Sequence, residues 1–190
     1  IRCNMLNLEK CEFDIVESLW RITEGSKLEA SECIFRNRTS SSASCIFFFD
    51  TINIEKSLFD GMQGPNGVCY SKIDDAVTVT NSTFNNVYRR SSFSYNIENI
   101  KKFHLLNNTF YNIKSKVSVF AKSSDAADIK IIGNIFADCD YTSVIDEVKD
   151  NCEVRDNLCS GKTVGTKSDL QTEYIEDVLE WRRGKPVLKD

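Results

Sequence analysis

A ten-residue phrase recurs along this chain, and its spacing limits the folds available to it. The copies are Leu6-Asn-Leu-Glu-Lys-Cys-Glu-Phe13-Asp-Ile15, Leu28 to Asn37, Ile52 to Gly61, Val77 to Asn86, Phe103 to Asn112, Ile129 to Asp138 and Cys152 to Gly161. Their starts, at 6, 28, 52, 77, 103, 129 and 152, lie between 22 and 26 residues apart. A fixed period of this size is the mark of a solenoid, in which each repeat buries its apolar face only against its neighbours. Two apolar residues two apart mark a strand with one buried face. A small polar residue and a bend follow, then an inward Phe on the next short strand. The pattern predicts an all-β right-handed parallel β-helix of about seven coils. Phe13, Phe35, Phe59, Phe84, Phe110 and Phe136 would stack in one internal column. A column two residues earlier holds Cys11, Cys33, Ser57, Ser82, Asn108, Asn134 and Asn157. Asparagine tolerates the left-handed conformation of a tight bend, and its amide can bond to copies above and below.

A further strand falls about ten residues after each Phe, at 43–49, 67–73, 91–97 and 117–121. The polar clusters between strands absorb the differences in coil length, as loops do. A helical solenoid fails because no coil places apolar residues at i, i+3, i+4 and i+7. Only Pro65 and Pro186 occur, which suits strands throughout, since proline cannot donate to a β ladder. The pattern changes after Gly161. Residues 168–183 begin with a capping residue and acids, space Leu170, Tyr174, Val178 and Trp181 along one side, and stop at Gly184. That predicts a β-helix over 1–161 and a C-terminal capping segment over 162–190, with a helix near 169–183 covering the last coil. No comparable cap precedes Leu6, so an N-terminal domain or cap is expected before this chain.

The repeated phrase resembles the pectin-lyase-like superfamily of right-handed parallel β-helices. The segments at 103–112 and 129–138 look most like uncharacterised β-helix domains of surface or periplasmic proteins in gut Bacteroidetes, and distantly like the chondroitinase B and alginate lyase group. The resemblance covers residues 6 to 161. It implies an extracellular, cell-surface or periplasmic protein that meets polysaccharide. For the lyase group it implies a Lys and an Arg beside acidic calcium ligands; Ala121-Lys122-Ser123-Ser124 is similar to the stretch carrying that Lys.

Composition narrows the partners. The net charge is −4 with pI ≈ 5.2, and both signs are mixed along the chain. Nucleic acid is not expected, because phosphate binding needs a concentrated basic face. The longest apolar run is Cys45 to Phe49, far short of the roughly 20 residues that span a bilayer. Lys122 is a candidate base if neighbouring cations lower its pKa, with Arg89 as its pair. Tyr88, Arg89, Arg90, Tyr111 and Tyr141 are candidates for a carbohydrate groove, since aromatic faces stack on sugar rings and Arg grips carboxylate or sulfate. His104, the sole histidine, has an outward register and is expected at the surface. No cofactor motif is present. Calcium would need convergence of acids such as Asp74, Asp75, Asp125, Asp128, Asp138, Asp140, Asp146 and Glu147, which follow no known loop pattern. The eight cysteines lack the CxxC pairs of a zinc site. Cys11 with Cys33, and Cys45 with Cys69, share columns and are within disulfide reach if adjacent coils stack; free core thiols are the alternative. Asn37, Asn81 and Asn107 begin glycosylation sequons that the bend phrase itself generates. Three functions remain: a polysaccharide-recognising surface module, a polysaccharide lyase acting by β-elimination on a uronate glycan, and a structural stalk or adhesin.

Overall fold

The computed structural model describes residues 3–14, 20–37, 45–62, 68–71, 75–87, 100–113, 128–138, 152–159, 172–174, 179–182 and 185–188. It is an all-β parallel solenoid, and no helix occurs among the described residues. One side of the stack consists of β1 (Met5–Glu9), β3 (Trp20–Ser31), β5 (Cys45–Glu55), β8 (Ala76–Thr80), β10 (Lys102–Leu106), β12 (Asp128–Ile132) and β14 (Cys152–Arg155), paired in that order. The second side runs through β2 (Glu12–Asp14), β4 (Ile34–Arg36), β6 (Leu58–Asp60), β9 (Thr83–Asn85), β11 (Thr109–Tyr111), β13 (Ile135–Ala137), β15 (Asn157–Cys159) and β16 (Thr172–Tyr174). On the third side, strand is described in only three places: at the start of β3, at the start of β5, and in β7 (Val68–Ser71), which pairs with β5. Among the described residues complete turns therefore number about three, against the seven expected.

The register is that of the repeated phrase. Phe103 aligns with Val77 and Ile129, and Phe110 with Phe84 and Phe136. Strand alternation sends Leu28, Ile52, Val77, Phe103 and Ile129 into the interior, each at most 1% exposed. The Phe column forms as the spacing predicts. Successive rings from Phe13 to Phe136 are stacked, with centroids 4.7–5.2 Å apart. Burying each ring stabilises the fold by about 1.5–3 kcal/mol, and the stacking adds on the order of 1 kcal/mol per pair.

The corner between the two sides divides its tasks differently from the sequence expectation. The left-handed residues are Lys10, Glu32, Lys56, Asn81, Asn107, Gly133 and Asp156, one place before the ladder column. A Cβ added to Gly133 would lie 2.3 Å from the Asn107 side-chain oxygen, so this corner also needs the missing side chain. The ladder residues are thus freed to bond between coils. The backbone N–H of Ser82 donates to Asn108 Oδ1, that of Asn108 to Asn134 Oδ1 and that of Asn134 to Asn157 Oδ1, each at 2.9 Å.

The C-terminal expectation is corrected. Where a helix was predicted near 169–183, the described residues are β16, which extends the second side, and β17 (Leu179–Arg182) paired antiparallel with β18 (Lys185–Leu188). Leu179 and Trp181 are two apart, and Trp181 sits opposite Pro186. Over so short a segment, periods of 2 and 3.6 fit the same apolar residues.

Candidate functional site: the outer face of the first side

Alternation along the first side directs every second residue outward, and parallel register stacks these residues in columns. The central column reads Asn7, Glu29, Asn53, Thr78, His104, Lys130 and Glu153. The next reads Glu9, Ser31, Glu55, Thr80, Leu106, Ile132 and Arg155. In the first four rungs the two columns line a groove of about 390 Å³, with Asn7, Glu9, Glu29, Asn53, Glu55 and Thr78 on its walls. Each rung offers an amide, carboxylate or hydroxyl, about 4.8 Å from the next. The carboxylates are held by neighbouring lysines: Glu29 by Lys27 at 2.6 Å, Glu55 by Lys56 at 3.3 Å and Glu9 by Lys10 at 3.5 Å. These pairs are solvent-exposed, so they shape the charge of the wall more than they add to stability.

The next three rungs change character. His104 Nε2 lies 2.8 Å from Asp128 Oδ2. Lys130 Nζ lies 3.9 Å from both Asp128 and Glu153, and Arg155 meets Glu153 at 2.7 Å. His104 was expected on the surface from its outward register; it does sit in the outward column, yet it is only 9% exposed. Burial lowers its pKa below 6.5, and Lys102 and Lys130 push in the same direction against the opposing pull of Asp128. The ring is therefore a neutral imidazole near pH 7, oriented by a carboxylate. The burial was not legible because register gives direction, whereas burial depends on the bulk of neighbouring rungs.

The other candidates fall elsewhere. Tyr111 flanks the inward Phe110 on β11 and packs against Ala137 on the second side, away from the groove. Tyr88, Arg89, Arg90, Lys122 and Tyr141 lie outside the described residues, as do Asp74, Asp125, Asp140, Asp146 and Glu147. Among the described residues no group of three or more His, Cys, Asp or Glu is placed to hold a metal ion, and no helix is long and apolar enough to cross a membrane. Cys11 and Cys33 carry free thiols. Register places Cys45 opposite Val68 and Cys69 opposite Ile46, so the expected Cys45–Cys69 neighbourhood is off by one residue. Near the second corner, Asn85 Nδ2 donates to Asp60 Oδ1 at 2.8 Å while its own buried oxygen has no hydrogen-bond partner.

No family model matches the chain, and no curated protein or solved structure matches it either.

Proposed function

We propose that this chain is an exported or cell-surface right-handed β-helix module that binds a polysaccharide along the outer face of its first side. The observation that carries this reading is the groove of about 390 Å³ walled by Asn7, Glu29, Asn53 and Glu55. Amides both donate to and accept from sugar hydroxyls, carboxylates accept from them, and their repeat along the axis suits a polymer more than a compact ligand. The wall is acidic, which favours a neutral glycan over a polyanion at these four rungs. A glycan array followed by titration calorimetry tests the reading. Exchanging Asn53 for Ala and Glu29 for Gln should weaken binding of the captured glycan at least tenfold. Unchanged affinity in both variants would place binding elsewhere.

A second reading, a lyase cleaving uronate glycan by β-elimination, is favoured by one observation. Lys102, His104, Asp128, Lys130 and Glu153 converge on the same flank directly beyond the groove. A neutral imidazole held by a carboxylate suits proton abstraction, and flanking lysines suit a uronate carboxylate. Ultraviolet absorbance of an unsaturated uronate product, formed by the native chain and lost with His104→Ala, would establish it. Absence of product across a panel of uronate polymers would leave recognition alone.

A further inference from the structure

The first two rungs hold a pair of thiols that no functional reading of the groove uses. The ladder position that is Asn in the last rungs is Cys11 in the first rung and Cys33 in the second. Backbone pairing brackets both cysteines: Lys10 N–H donates to Ser31 O at 3.0 Å and Ile34 N–H to Cys11 O at 2.8 Å. Cys11 and Cys33 are thus direct neighbours in adjacent rungs. A rung separation of about 4.8 Å lies inside the range of about 4.4–6.8 Å between Cα atoms of bridged cysteines. Both are reduced here, and their thiols donate to backbone carbonyls: Cys11 to Glu9 O at 3.3 Å, Cys33 to Leu8 O at 3.4 Å and Ser31 O at 3.3 Å. Those bonds are weak, so forming a bridge sacrifices little.

We infer that Cys11 and Cys33 are a modification site, a latent disulfide that staples the first rung of the solenoid to the second when a small-molecule disulfide is present. The first rung is the one with most to gain. Leu6, Leu8 and Phe13 are only partly buried, whereas their counterparts in the next five rungs are buried. The two thiols have distinct roles. Cys11 is partly exposed and meets the oxidant first; Cys33 is 1% exposed, and burial pushes its thiol pKa up, so it reacts second. In the first step the Cys11 thiolate attacks one sulfur of the external disulfide, forming a mixed disulfide and releasing one external thiolate. In the second step the Cys33 thiolate attacks Cys11 Sγ, forming the protein disulfide and releasing the second thiolate. The two thiol protons pass to the two leaving thiolates, and the external disulfide is reduced by two electrons.

The test equilibrates the native chain with glutathione disulfide and with dithiothreitol, blocks remaining thiols, and maps peptides without reduction. The expected result is a peptide containing Cys11 joined to one containing Cys33. The oxidised chain should melt on the order of 5 °C higher, because closing a loop of this length restricts the unfolded chain. Cys33→Ser should abolish the joined peptide and most of the shift. Serine already fills this column at Ser57 and Ser82, so that variant keeps the ladder. Should it fail to fold, the peptide map of the native chain decides alone. Recovery of Cys11 and Cys33 as two free thiols, or as two separate glutathione adducts, would overturn the inference.

Discussion

The two halves of the corner ladder do the same job with different chemistry. In the later rungs each amide ties neighbouring coils together more than once. Asn134 Oδ1 accepts the backbone N–H of Asn108, and its Nδ2 donates to Leu105 O in the preceding rung, both at 2.9 Å. Asn108 and Asn157 repeat the pattern through Val79 O and Ile131 O. In the earlier rungs a hydroxyl replaces the amide. Ser57 Oγ accepts the N–H of Cys33 at 3.1 Å, but donates to Glu55 O within its own rung. Ser82 does likewise with Ser57 N–H and Thr80 O. The amide therefore binds the preceding coil twice, once as acceptor and once as donor, whereas the hydroxyl binds it once. At the first two rungs the ladder residues are thiols, the weakest donors of the series. Coil-to-coil attachment declines toward the N-terminal end, where apolar burial also declines.

This contrast fixes an order of effects. The largest is expected from Asn134→Ala, which strands the buried Asn108 N–H and the Leu105 carbonyl together. Each orphaned group costs about 1–3 kcal/mol, so urea denaturation should show a loss of roughly 3–5 kcal/mol in total. Ser57→Ala strands only the Cys33 N–H and should cost about half as much; equal losses in the two variants would erase the distinction between the halves. Ser82→Asn would extend the amide half by one rung and should stabilise the chain by about 1 kcal/mol; a loss would show that the corner there has no room for the larger side chain. Native-state hydrogen exchange should find the amides of β1 and β2 exchanging before those of β10 and β12. The smallest effect concerns His104. Its folded pKa lies below 6.5, so the unfolded chain binds the proton more readily. Its contribution is complete above pH 6.5 and is lost as the pH falls through the lower, folded value. His104→Gln should flatten that part of the stability profile, which the ring signals of a sole histidine can follow directly by NMR.

Much of the scaffold was legible because the repeat encodes it twice, as alternation within strands and as a fixed distance between them. The Phe column and the polar corner column follow from that spacing. The left-handed residue was missed by one place because Lys10, Glu32 and Lys56 carry no glycine or asparagine signal; in each the corner imposes the conformation. The C-terminal segment was misjudged because Leu179, Trp181 and their neighbours satisfy both helical and strand periods. The groove had no linear signature at all. Asn7, Glu29, Asn53 and Thr78 are scattered polar residues in sequence, and only parallel register turns them into one wall. Reasoning from aromatic and basic clusters pointed instead to Tyr111, which the fold assigns to a different side.

The central claim is that each repeat contributes one rung in register, and distance measurement between spin labels tests it most directly. Labels at Asn7 and Glu153 share the outward central column, six register steps apart from β1 to β14. The fold predicts a single narrow distance near 29 Å, on the order of six times the 4.8 Å strand spacing, with an intermediate value near 14 Å, about three steps, for labels at Asn53 and Lys130. A broad distribution, or two distances that do not scale with the number of steps, would contradict the stacked solenoid and the groove built on it.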